Sequence, residues 1–150
     1  MRLKVQDVLE SKNIQYRIIE LKERAITVQD VIKYSKEHIN SEEICKTILV
    51  KRKKEYYALF LRGADKIDFK KLRGLIGKTS IASRDEVHMV SGVNPGAVCP
   101  LLLDVPVIVD QRVLSLDKLN FGSGNHLYGV EIASVDLAKV LDYRLADVAQ

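Results

Sequence analysis

The sequence predicts an α+β fold in one domain of 150 residues. Three observations carry this. Segments with period-two apolar alternation are mixed with short helical segments, without the regular βαβ alternation of a doubly wound parallel sheet. Two apolar, β-branched runs, residues 45–50 and 56–61, flank a short charged stretch and read as a β-hairpin. A chain of this length also buries a full core without disulfide or metal staples, and no repeat, low-complexity run or linker divides it.

The elements follow in order. Residues 1–12 carry Leu3, Val5, Val8 and Leu9 on a partly helical period. Tyr16-Arg17-Ile18-Ile19-Glu20 alternates at period two and reads as a strand. Thr27 is an N-cap for a helix through Val28, Val31, Ile32 and Tyr34. Ser41 starts another short helix, with Glu42 and Glu43 in its first turn, where the helix dipole favours acids. In the hairpin, Lys51-Arg52-Lys53-Lys54-Glu55 forms a basic tip, and Gly63 ends the second strand. Asp68 caps a helix with Phe69, Leu72, Leu75 and Ile76 on one stripe and Lys70, Lys71 and Arg73 exposed. Ser83 begins a helix over 84–90 that stops at Ser91-Gly92. Residues 93–100 form a loop, 105–110 a buried strand, 121–126 a flexible loop and 127–133 a strand. Ser134 caps a last helix over 135–141.

Composition narrows the function. Hydrophobic residues make up 47% and charged residues 29%, an ordinary soluble balance. The longest apolar stretch, 98–109, is interrupted by Pro100, Asp104 and Pro106 and falls short of the roughly 20 residues that span a bilayer. The N-terminus lacks a signal-type apolar block, so no membrane association and a cytoplasmic location are expected. Two cysteines, Cys45 and Cys99, make neither a disulfide framework nor a zinc site. His38, His88 and His126 show no metal-binding spacing, so a chemistry without metal or cofactor is expected. The net charge of +4 suits a polyanionic partner.

Several segments carry chemistry. Lys46 opens an otherwise apolar strand; it either places an ammonium in a partly desolvated cleft, able to hold an oxyanion, or points to solvent. Gly92-Val93-Asn94-Pro95-Gly96-Ala97-Val98-Cys99-Pro100 either brings backbone close to a ligand or is a helix C-cap followed by a type II turn at Pro95-Gly96. Gly122-Ser123-Gly124-Asn125-His126 reads as a substrate loop or as a plain turn. Gly74-Leu75-Ile76-Gly77-Lys78-Thr79 is not a phosphate-binding loop, because Leu72 stands where the first glycine belongs. The run 51–54, with Lys66, Lys70, Lys71 and Arg73, either contacts phosphates or is a solvated face.

Taken in order, Lys46-Thr47-Ile48-Leu49-Val50, Arg62-Gly63-Ala64-Asp65, Leu72, the 92–100 loop, Val109-Asp110, the 122–126 loop and Leu137 resemble the YbaK/ProX family. That family includes the editing domain inserted in bacterial prolyl-tRNA synthetases, and the resemblance runs from about Ala25 to the end. It implies a compact single editing domain over 1–150, around a mixed, largely antiparallel sheet with flanking short helices. It also implies hydrolysis of the ester between an amino acid and the terminal ribose of tRNA, by a free-standing member acting in trans; because one methylene is worth only about 1–3 kcal/mol of discrimination, a small amino acid of the alanine, serine or cysteine type is expected. Lys46 and Gly96 then take the catalytic positions, and Gly92, Pro95, Ala97, Gly122, Ser123, Gly124 and His126 surround the substrate. The partner is aminoacyl-tRNA, with Lys51, Arg52, Lys53 and Lys54 as its contact. The competing expectations are a non-catalytic RNA-binding module of the same fold, a synthetase partner, and a cysteine hydrolase using Cys99 and His126.

Overall fold

A computed structural model describes residues 2–150, so only Met1 of the expected N-terminal segment lies outside the described residues. In chain order the elements are α1 (Lys4–Ser11), β1 (Tyr16–Glu20), α2 (Val28–Tyr34), β2 (Cys45–Arg52), β3 (Glu55–Arg62), α3 (Phe69–Ile76), β4 (Ser80–Ile81), α4 (Arg84–Ser91), β5 (Val107–Asp110), β6 (Lys118–Asn125), β7 (Tyr128–Ala133), α5 (Leu137–Val140) and β8 (Arg144–Ala146). The fold is α+β, as expected, and its strands form two sheets. One is antiparallel, in the order β1-β7-β6; the other is mixed, in the order β4-β2-β3-β5-β8. A parallel bridge between Ile44 and Asn120 ties them together.

Local chemistry explains three of the five α-helix starts among the described residues and the end of α4. Thr27 Oγ1 accepts from Asp30 N, and the Asp30 carboxylate accepts from Ile26 N and Thr27 N. This reciprocal cap satisfies donors that α2 cannot use internally. Asp68 accepts from Lys70 N and Lys71 N, and Ser83 with Glu86 forms the same reciprocal box at α4. Gly92 ends α4 at φ 77°.

Two apolar layers follow from strand alternation. Leu49, Phe60, Val109, Phe121 and Val130 pack between the sheets, where the Phe60 and Phe121 rings meet edge to face at 5.6 Å. Val50, Leu59, Leu61 and Ile108 point to the opposite side, against Leu72 and Ile76 of α3. The fully buried Asp110 carboxylate holds the C-terminal segment in place, accepting from Val148 N at 2.9 Å and Ala149 N at 3.2 Å.

Four local expectations change. Residues 121–126 are not a flexible loop: Phe121 to Asn125 belong to β6, and only His126 and Leu127 turn the chain. The hairpin strands run further than expected, so its tip is Lys53-Lys54 alone. Asn40, not Ser41, caps the short 3-10 turn Ser41–Glu43. Ser134 is buried within a 3-10 turn and caps nothing; α5 starts three residues later. Among the described residues, no helix is long and apolar enough to cross a membrane.

Candidate functional site

A cavity of about 370 Å³ opens where the two sheets meet. Its floor is the outer face of the three-stranded sheet, carrying Ile19, Asn120, Gly122 and Gly129. One wall is the first half of β2, from Cys45 to Ile48. Strand β4 pairs only with Val50 and Lys51, which leaves this part of the β2 edge uncovered by a neighbouring strand. The remaining walls are the segment from Ala25 through α2 and the turn at Pro95-Gly96.

Close backbone approach shapes the cavity. Ala97 N donates to Asn94 O at 3.2 Å, closing a turn whose third residue, Gly96, has φ 96°. That is the type II arrangement expected of Asn94-Pro95-Gly96. A Cβ at Gly96 would lie 2.4 Å from the carbonyl oxygen of Ile26, so only glycine fits between these walls. Gly122 plays the same part in β6: a Cβ there would lie 2.5 Å from Val98 O. The backbone of 97–98 thus lies directly on β6, held by Gly124 N donating to Ala97 O at 2.8 Å.

Besides Thr27, Asn125 and Tyr128, the polar side chains Lys46, Thr47, Asn120 and His126 line this largely apolar space. Lys46 is half-buried, and its Nζ donates to the Gly63 carbonyl oxygen at 3.1 Å. Burial pushes its pKa below the usual lysine value, with Asp65 pulling back upward. His126 Nδ1 lies 3.2 Å from Ala25 O. A carbonyl oxygen only accepts, so Nδ1 carries a proton and Nε2 is the ring's remaining polar atom. That Nε2, the Thr47 hydroxyl and both polar atoms of the Asn120 side chain are buried without a protein partner.

The expected site residues separate by location. Lys46, Pro95, Gly96, Gly122 and His126 line the cavity. Gly92 is the α4 cap, and Ala97 and Gly124 hold the wall through their mutual hydrogen bond. Ser123 is buried, donating to Tyr128 O at 2.6 Å within the β6–β7 hairpin. Lys51 is committed to Glu86 at 2.9 Å, and Arg52 donates to Ile76 O at 3.0 Å. Only Lys53 and Lys54 of that run lie at the hairpin turn. Cys99 lies outside the lining, and burial pushes its thiol up to about 12, which leaves it protonated and a poor nucleophile. Cys45 borders the cavity with its thiol likewise pushed up to about 12 by burial.

Sequence reasoning missed Thr47, Asn120 and the apolar wall from α2. Asn120 had one signal, a polar residue between Leu119 and Phe121, but the glycines that follow hid the strand containing it.

Comparison with known proteins gives consistent findings. The aminoacyl-tRNA editing domain family matches residues 22–140. Proline–tRNA ligases of Staphylococcus aureus strains Newman and USA300 are each 32% identical over 97 residues, covering 61% of this chain. The match takes up only 17% of the length of those ligases. Among solved structures, a hypothetical protein superposes with TM-score 0.85 at 23% identity, covering 98% of this chain and 99% of its own. A protein described as a candidate trans-editing enzyme for prolyl tRNA synthetase superposes with TM-score 0.81 at 20% identity, covering 97% and 94%. At these identities the two superpositions show a shared fold.

Proposed function

The chain belongs to the aminoacyl-tRNA editing domain family, and from that premise we propose that it is a single-domain deacylase acting in trans on tRNA mischarged with a small amino acid, of the alanine, serine or cysteine type. The observation that carries the proposal is the half-buried Lys46 ammonium in one cavity with the close-packed Gly96 and Gly122 walls.

In the proposed reaction, water adds to the ester carbonyl carbon and negative charge collects on the carbonyl oxygen. Collapse of that intermediate breaks the bond to the ribose oxygen, which leaves with a proton. The Lys46 ammonium stabilises the developing charge, and partial burial strengthens that interaction. Gly96 lets the turn approach the ester closely, and Pro95, Gly122 and His126 complete the substrate contacts. Gly92, Ala97, Ser123 and Gly124 hold the surrounding walls in place. A ribose hydroxyl of the substrate positions the water, so no protein nucleophile and no metal enters the proposed step. Substitution of that hydroxyl by hydrogen slows cleavage far more than it weakens binding; a deoxy substrate cleaved at the normal rate refutes this part.

The test is deacylation of a panel of mischarged tRNAs by the wild type and Lys46→Ala, with folding checked by circular dichroism. Activity in the wild type that is lost in the folded variant supports the reading. Because the charged lysine is required, activity also falls as pH rises through a Lys46 pKa lying below 10.5. Cleavage of no ester by the wild type overturns the deacylase reading in favour of an RNA-binding module, and cleavage that persists in Lys46→Ala removes the lysine from the reaction.

A further inference from the structure

We infer that Asn120 reads the side chain of the esterified amino acid, so that the cavity selects a hydroxyl-bearing residue over one ending in a methyl group. The inference deepens the deacylase reading of the same site and rests on it.

Asn120 is 4% exposed and sits in β6 between the buried Leu119 and Phe121. It lines the cavity, and neither its carboxamide oxygen nor its nitrogen has a hydrogen-bond partner within 3.5 Å, although the carboxamide lies close enough to the Glu131 carboxylate to help lower its pKa. Leaving a buried amide unpaired is costly, and native proteins seldom do so without a function for it. Its cross-strand neighbour Glu131 is already engaged, accepting from Arg17 at 2.9 and 3.3 Å and pairing with Lys118 at 3.8 Å.

The unpaired groups are also clustered. Five buried side-chain atoms lack a partner among the described residues, and four of them belong to Thr47, Asn120 and His126 of this one cavity. The fifth, Arg52 Nε, lies elsewhere. A cavity sorting amino acids by size alone needs no such groups; Ile19, Leu21, Val28 and Val31 already supply apolar wall.

A carboxamide offers a donor and an acceptor side by side, and a hydroxyl can use either. The Thr47 hydroxyl and the unpaired His126 Nε2 leave further donors and acceptors for the remaining capacity of the ligand. A methyl side chain satisfies none of them, and a thiol does so only weakly. Sites built to bond a substrate hydroxyl discriminate strongly against the analogue lacking it, because their own polar groups are then stranded.

The experiment compares kcat/KM for seryl, alanyl and cysteinyl esters of one tRNA, with the wild type and Asn120→Leu, a change close to isosteric. The expected result is a wild-type preference for the seryl ester of at least about tenfold, falling by at least about tenfold in the variant. A wild type that cleaves these esters without a seryl preference overturns the inference while leaving the deacylase reading intact. A seryl-to-alanyl ratio unchanged in Asn120→Leu also overturns it. Cleavage of none of the three esters removes the premise and the inference with it. If Asn120→Leu does not fold, non-hydrolysable seryl and alanyl amides of a terminal adenosine are compared on the wild type. Tighter binding of the seryl amide supports the inference, and equal binding overturns it.

Discussion

Replacing Gly96 by alanine tests the cavity wall directly, because two other glycines, Gly92 and Gly74, supply its controls. Gly92 shares a left-handed backbone, at φ 77°, but a Cβ there meets open space. Gly92→Ala therefore costs about 1–2 kcal/mol, the penalty of that conformation alone. Gly96 adds a collision: its Cβ would stand 2.4 Å from Ile26 O and 2.6 Å from Ile26 Cα. Ordinary contact requires the Ile26 backbone to retreat by about 1 Å, an overpacking strain of about 1–3 kcal/mol. The total for Gly96→Ala is then about 2–5 kcal/mol, or a melting temperature about 4–20 °C lower for a domain of this size. Gly74, inside α3 with nothing within 4 Å of its Cβ, should instead gain about 0.5–1 kcal/mol as alanine. Urea denaturation of the three variants gives the comparison, and deacylation by the folded fraction shows whether moving Ile26 disturbs the site. Equal losses at Gly92 and Gly96 would refute the argument, since the close packing of Gly96 on Ile26 would then carry no energy.

Three more outcomes follow from named contacts. Asp110→Ala strands the buried N–H groups of Val148 and Ala149; denaturant unfolding should show a loss of about 2–6 kcal/mol, partly recovered by Asn, which keeps one acceptor. Neutralising Lys53 and Lys54 together, at the hairpin turn, should lower the dependence of log affinity for tRNA on log salt by between one and two, and an unchanged slope excludes the tip as a phosphate contact. The Glu86 carboxyl is held at about 2, first by the Ser83 N–H and then by Lys51 and Tyr56. Its folded value lies below the ordinary 4.5, so its stabilisation is complete above that pH and is lost as pH falls toward 2. Glu86→Gln should flatten the acid limb of stability in that window, and an unaltered limb in thermal melts contradicts the assignment.

Local signals made much of the fold legible. Thr27, Asp68 and Ser83 precede apolar stripes and cap helices, because a side-chain oxygen beside free N–H groups acts over three residues and needs no distant partner. The β2–β3 hairpin, the turn at Pro95-Gly96 and the cap at Gly92 were visible for the same reason. Lys46 stood out as a charge in an apolar strand, and it borders the cavity. Strand β6 did not stand out, since Gly122 and Gly124 lower strand propensity; only the backbone of 97–98 lying on that strand explains why Gly122 is there. Nor could the run from Lys51 to Lys54 show which of its charges are committed, because Glu86 and Ile76 reach Lys51 and Arg52 only in the folded chain. Thr47 and Asn120 are ordinary polar residues of two strands until residues 19–31, 44–48, 95–98 and 120–129 close around one space. Propensity and capping are written in neighbouring residues. A cavity, and the cost of leaving an amide unpaired inside it, come from segments a hundred residues apart that touch only when the sheets pack.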